Sequence, residues 1–241
     1  MEGDHQEEIV DPKRKGKAVM LIHADLSRPA VSFGYEAEWE ASPADGVLRR
    51  MLERDGGEIA RATSIVRFRP GSRFEPHEHQ LGEEFLVVEG TFSDAAGDYP
   101  AGTYVRNPPG SEHAPWSDEG CCLFVKLRQF HPDDRARVVI DTRSGEWFPG
   151  LIKGIAVMPL HRFGSEFVSL VRWAPNTIFP AHSHAGGEEI LVLDGALEDD
   201  EGRYDEGSWL RNPPGSVHQP FSIEGCLIYV KIGHLPAVQV G

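Results

Sequence analysis

Short apolar runs broken by turn residues recur along most of the chain. The stretches "SIVRFRPG", "EEFLVVEG", "GTYVRNPPG" and "CCLFVKLRQF" are followed, in the same order, by "FVSLVRWAP", "EEILVLDG", "GSWLRNPPG" and "CLIYVKIG". Runs of this length, rich in β-branched and aromatic residues and bounded by glycine and proline, predict strands. With 26 glycines and 18 prolines concentrated between the runs, long helices have no room; one turn of helix is predicted at "VLRRML", Val47–Leu52. The expectation is an all-β chain built as a sandwich or barrel of antiparallel strands.

The same runs form a repeat. Placing Gly71–Leu127 on Asn176–Ile232 needs no gap and gives 27 identities over 57 positions. An internal duplication follows, with a period too long for a solenoid unit, so each copy is expected to bury its own core. The polar "HPDDRAR", His131–Arg137, marks the junction. The chain then divides into a loose polar tail at 1–17, a first domain at 18–130 and a second at 131–241.

A net charge of −14 over 241 residues repels nucleic acid and anionic membrane surfaces, which excludes both as expected partners. No run approaches the roughly 20 apolar residues of a membrane helix, and the N-terminus lacks the apolar core of a signal peptide, so a cytoplasmic protein is expected. Cys121, Cys122 and Cys226 are odd in number and lie in apolar runs. They read as reduced and buried.

Chemistry enters at "HEHQLGEEF" and "HSHAGGEEI". Side chains two apart on a strand share a face, so His77 projects with His79, and His182 with His184. A short turn then returns Glu83 or Glu188 to the same place. A third imidazole follows a double-proline turn in "RNPPGSEH" (His113) and "RNPPGSVH" (His218). Each copy therefore offers three imidazoles and one carboxylate, a donor set that zinc, iron, manganese, nickel and copper all accept. Two divalent ions per chain are expected. The neighbouring Glu84 and Glu189 fall on the opposite strand face, where a solvated or interfacial carboxylate is expected.

These residues resemble the cupin superfamily. Its first motif, G-x5-H-x-H-x3-4-E-x6-G, fits Gly71, His77, His79, Glu83 and Gly90, and again His182, His184, Glu188 and Gly195, with Asn176 in place of the leading glycine. Its second, G-x5-P-x-G-x2-H-x3-N, fits Gly102, Pro108, Gly110 and His113, and Gly207, Pro213, Gly215 and His218, with Ser117 and Ser222 in place of the asparagine. More narrowly, "GDYPAGTYVRNPPGSEHAPWSDEGC" and its second copy resemble the ChrR-type cupin family, named for a zinc-dependent anti-sigma factor. The resemblance implies two tandem cupin jelly-roll barrels, with zinc as the first expectation and iron, manganese or nickel as alternatives. It also implies a small-molecule ligand, either sensed or transformed by a metal-dependent oxygenase, isomerase or lyase. A homodimer is a further expectation, since exposed strand edges can pair between chains.

By the same resemblance the Pro-Pro-Gly turns hold His113 and His218 at the barrel mouth. Arg106, Asn107, Arg211 and Asn212 read either as donors behind the metal-ligating side chains or as braces of those turns, with bracing the favoured expectation. Lys126 and Lys231 read as strand-end surface residues, with a pocket-facing position as the alternative.

Overall fold

A computed structural model describes residues 20–34 and 38–236, so the 1–17 tail lies outside the described residues. Every regular element among them is a strand, and no helix is long and apolar enough to cross a membrane. The strands form two large antiparallel sheets, each rolled into a jelly roll, one per copy of the repeat.

The first sheet runs in the order Met20–Ile22, Val47–Gly56, Ala60–Phe68, Cys121–Leu127, Glu83–Asp94, Thr103–Asn107, Val138–Asp141. The second repeats it as Phe148–Pro149, Ile155–Phe163, Glu166–Trp173, Cys226–Ile232, Glu188–Asp199, Trp209–Asn212, Ala30–Ser32. The last strand of each is supplied by the other half of the chain. Val138–Asp141 pairs with Thr103–Arg106 of the first barrel, and Ala30–Ser32 pairs with Trp209–Arg211 of the second. This exchange covers two sheet edges and clasps the barrels together.

The helical turn expected at Val47–Leu52 is a strand instead. Its backbone pairs with the Ala60–Phe68 strand on one side and with Glu40–Ala41 on the other, and Val47, Met51 and Leu52 are buried. Pairing and burial there override a local preference for helix.

Strand alternation sorts the apolar residues into three cores. Phe85, Val87, Val105 and Leu123 fill the first barrel, and Ile190, Val192, Leu210 and Ile228 fill the second. The intervening residues, among them Leu86, Tyr104 and Phe124 with Leu191, Trp209 and Tyr229, form a third core between the barrels. Phe124 and Tyr229 occupy the same place in the two copies and meet edge to face, 5.1 Å between centroids, close to the pseudo-twofold relation of the halves.

That alternation carries Glu84 and Glu189 into the interface. They are interfacial, but buried rather than solvated. The lysines expected on the surface are buried there too, because each meets the other copy's carboxylate. Lys126 Nζ lies 2.6 Å from Glu189 and Lys231 Nζ lies 3.1 Å from Glu84. Arg106 donates to Glu84, Glu166 and Asp134, and Arg211 to Glu53. The arginines thus tie the barrels together rather than bracing their turns. Burial alone would raise the Glu84 carboxyl, yet Lys231 and Arg106 hold it well below the usual carboxylate range. The three cysteines are free and buried, with burial pushing each thiol up to about 11. They are poor nucleophiles as a result.

Candidate metal centre

Two short antiparallel ladders place the histidines. His77 stands directly opposite His113 on the ladder of His77–His79 with Ser111–His113, and His182 stands opposite His218 in the second barrel. The Pro-Pro-Gly turns lock these ladders. Gly110 and Gly215 have φ of 86° and 81°, a conformation that favours glycine, and their N–H groups donate to the carbonyls of His79 and His184. Glu83 and Glu188 open the long strands behind the ladders and point into the barrels.

The donor atoms converge. In the first barrel Nε2 of His79 lies 2.9 Å from Nε2 of His113, and a Glu83 oxygen lies 3.3 Å and 3.6 Å from those two nitrogens. His77 joins the same group, with one donor atom each from His77, His79 and His113 lying within 4.8 Å of one another. In the second barrel Nε2 of His182 is 3.0 Å from that of His184 and 3.2 Å from that of His218, and Glu188 is 3.3 Å from both His184 and His218. All four of these residues meet the 4.8 Å limit, whereas in the first barrel Glu83 does not meet it together with the three imidazoles.

The donor set fits a cation. An octahedral ion with bonds of about 2.1 Å sets adjacent donors about 3.0 Å apart, and a tetrahedral one sets them about 3.4 Å apart; the separations above bracket these values. The tautomers fit as well. Nδ1 of His77 lies 2.9 Å from the Glu75 carbonyl and Nδ1 of His182 lies 3.0 Å from that of Pro180, so each ring carries its proton on Nδ1 and turns the Nε2 lone pair inward. In the first barrel Asp94 Oδ2 sits 3.3 Å from His113 Nδ1 and acts on that ring in the same way.

The sequence profile of the ChrR Cupin-like domain matches residues 28–131 and again 135–236. The chain belongs to the ChrR Cupin-like domain family. No curated protein matches it by sequence. Among solved structures, a candidate dioxygenase from Nostoc punctiforme aligns with a TM-score of 0.69 at 16% identity, covering 87% of this chain and 81% of that one. The E. coli protein YlbA aligns with a TM-score of 0.69 at 14% identity, covering 92% and 97%. A variant of oxalate decarboxylase from Bacillus subtilis aligns with a TM-score of 0.61 at 14% identity, covering 88% and 79%. These likenesses describe the two-barrel fold.

Within this ChrR-like bicupin the two centres differ in charge balance. Burial pushes the Glu83 carboxyl up, only partly opposed by His113 and by a hydrogen bond from Asn107. Burial also acts on Glu188, but a hydrogen bond from His184 and the neighbouring His218 overcome it and pull that carboxyl down. Burial and the charge of His77 bring the His79 imidazole down to about 4, and burial lowers His113 and His218. These three rings are held neutral, the form that binds metal.

Asn107 and Asn212 take the less favoured of their two expected roles and donate to the inner carboxylates, Nδ2 lying 3.1 Å from Glu83 and 3.1 Å from Glu188. The reason is strand register: Asn107 stands opposite Glu83 and Asn212 opposite Glu188. Asp94 was not singled out from the sequence, although its identity with Asp199 in the second copy was available as a signal. A third group, Asp134, His161 and Glu166, also converges. The Arg106 guanidinium lies against both of its carboxylates, at 2.6 Å and 2.9 Å, so the protein supplies the positive charge there itself.

Among the described residues, three cavities reach the histidine groups; one of them, about 190 Å³, lies behind the first group against Asp94, Asn107 and Arg137, and the other two open in front, one in each barrel. The first barrel holds one of about 390 Å³ lined by His77, His79, Glu83 and His113, with Arg49, Arg54 and Glu58 also on its wall. The second holds about 190 Å³, and beyond its own histidines and Glu188 its lining is almost wholly apolar.

Proposed function

We propose that this protein is a metal-binding bicupin in which each barrel holds one divalent ion, through His77, His79, Glu83 and His113 in the first and His182, His184, Glu188 and His218 in the second. The convergence of three imidazoles, built twice and joined by Glu188 in the second barrel, with Glu83 beside His79 and His113 in the first, is the observation that carries this reading. Zinc is the ion expected from the family's namesake. Manganese is the ion of the Mn(II) centres in Bacillus subtilis oxalate decarboxylase, and three imidazoles with a carboxylate accept either.

The first barrel is the one that receives a small molecule, sensed or transformed. Its cavity falls in the range of ligand pockets and carries polar groups on its wall, whereas the second is smaller and apolar. A bound divalent ion supplies a Lewis-acid position for an oxygen of that molecule. The chain's own part is to keep the rings neutral, to orient them through Glu75, Pro180 and Asp94, and to exclude water with the apolar wall.

Elemental analysis of the purified protein tests the reading. The expected result is two ions per chain, falling by one in His79→Ala and by one in His184→Ala, with the other barrel's ion retained. Unchanged metal content in both variants overturns the assignment.

A further inference from the structure

Two arginines and a glutamate on the wall of the first cavity play no part in holding a metal. Arg49 grips Glu58 as a two-pronged fork, at 2.9 Å and 3.0 Å. Arg54, whose side chain is only 4% exposed, comes within 3.9 Å of the same carboxylate and donates to the Gly57 carbonyl. Burial and the adjacent charge of Arg49 both push the Arg54 guanidinium down, and Glu58 opposes them only in part. Two guanidinium groups brought together in a largely apolar cavity are costly unless an anion shared between them offsets the repulsion.

The second barrel lacks this arrangement. Arg49 stands opposite Val66, and its equivalent, opposite Val171, is Val157. Arg54 stands opposite Ala62; its equivalent, opposite Phe167, is Arg162, which is exposed and outside the cavity. The hairpins differ too. The first hairpin runs one pair further, to Gly56 and Ala60, and its turn holds residues 57–59, whereas beyond Phe163 and Glu166 the second holds only 164–165. Glu58 and the exposed Ile59 ride on that longer turn, and both border the cavity.

We propose that the first cavity is an organic-anion site, in which a small carboxylate-bearing molecule enters past the 57–59 tip, displaces Glu58 and places its carboxylate on Arg49 and Arg54. Its other end then faces the histidine group, a part that rests on the metal reading above. The fork geometry of Arg49 is the one that recognises a planar carboxylate. Glu58 already fills that role as a tethered stand-in. Its carboxylate is 36% exposed, so a competing anion can reach the fork from solvent and exchange with it while keeping the guanidiniums neutralised.

The probes are malonate, succinate and glutarate, with the neutral diamide of each as control, titrated calorimetrically into the metal-loaded full chain. At least one diacid is expected to bind while its diamide does not. Arg49→Gln is expected to weaken binding about tenfold or more and Glu58→Gln, which frees the fork, to tighten it about tenfold. Metal content is expected to stay the same in both. Glu58 lies on the turn and Arg49 is part-exposed, at 36% and 15%, and each keeps its hydrogen-bonding shape as glutamine, so both variants are expected to fold even where Arg54→Gln, at 4% exposure, does not. Binding no tighter than that of the diamides, or affinities in both rim variants equal to the wild type, overturns the anion site. Repeating the titration on chelator-treated protein separates the two readings. Diacid binding that still depends on Arg49 and Glu58 in a protein that takes up no metal overturns the metal reading and leaves the anion site standing.

Discussion

The two barrels carry one ligand pattern in two settings. In the second, Glu188 is drawn down by His184 and His218 and lies 3.3 Å from both rings, inside a small apolar cavity. In the first, Glu83 is pushed up by burial, stands 3.3 Å and 3.6 Å from its partners, and opens onto a cavity twice as large with arginines on its wall. Duplication preserved the inward donors because strand register and the Pro-Pro-Gly turns place them. The wall strand Val47–Gly56 and its hairpin took no part in that placement and were able to diverge. The difference teaches that the inward donors and the charged wall of the cavity reside on separate strands of the same barrel.

The sharpest way to break the comparison is to part the barrels. Arg106 is fully buried and bonds Glu84 of its own copy together with Asp134 and Glu166 from the second half of the chain. Arg106→Ala leaves three carboxylates in the interface with Lys231 as the remaining cation beside Glu84 and Glu166. Removing one partner of such a buried network costs about 3–5 kcal/mol. Denaturant unfolding should show that loss. A change below about 1 kcal/mol would mean the interface is not what couples the two halves.

A smaller effect, specific to the first barrel, comes from His79. Its imidazole is down at about 4 in the folded chain against an ordinary value near 6.5. A depressed value means that the unfolded chain takes up the proton first, so the stabilising contribution is complete above about pH 6.5 and is lost as pH falls toward 4. In chelator-treated protein, stability is expected to drop by about 3 kcal/mol across that window. His79→Gln, which has nothing to protonate, should remove the His79 share of the drop and leave the smaller part that the lowered His113 and His218 contribute. An unchanged slope in that variant would place the acid sensitivity elsewhere.

The contrast also shows what one sequence can reveal. The strands were legible because glycine and proline punctuate them, and the donors because H-x-H spacing, a returning glutamate and a third histidine recur at matched positions. Alternation put Glu84 and Glu189 on the outer face, but no local pattern says that this face meets its own duplicate, so Lys126 and Lys231 read as surface residues. The exchanged strands Ala30–Ser32 and Val138–Asp141 are too short to carry periodicity and are defined only by partners over a hundred residues away or in the other copy. Arg54 was illegible for a related reason. Its burial depends on a bulge at Leu52, which shifts the register between Met51 and Glu53, and a pattern with a strict period of two does not register such a shift.

The finest test compares the two asparagines. Asn107 and Asn212 make the same hydrogen bond, 3.1 Å to the inner carboxylate of each centre. For Glu83 that bond is one of the few influences opposing burial, alongside the charges of His113 and His77. For Glu188 it is the weakest of four, behind both contributions of His184 and the charge of His218. Loss of a group that orients a metal ligand costs roughly 10–100-fold in metal affinity. Asn107→Ala should approach the upper part of that range in the first barrel, since its carboxylate then has less to keep it ionised. Asn212→Ala should cost about tenfold or less in the second. Competition with a metal-sensitive chelator dye, read separately in backgrounds carrying His184→Ala or His79→Ala, gives each affinity alone. Equal losses in the two barrels would show that the opposite carboxyl shifts have no bearing on how tightly each centre holds its ion.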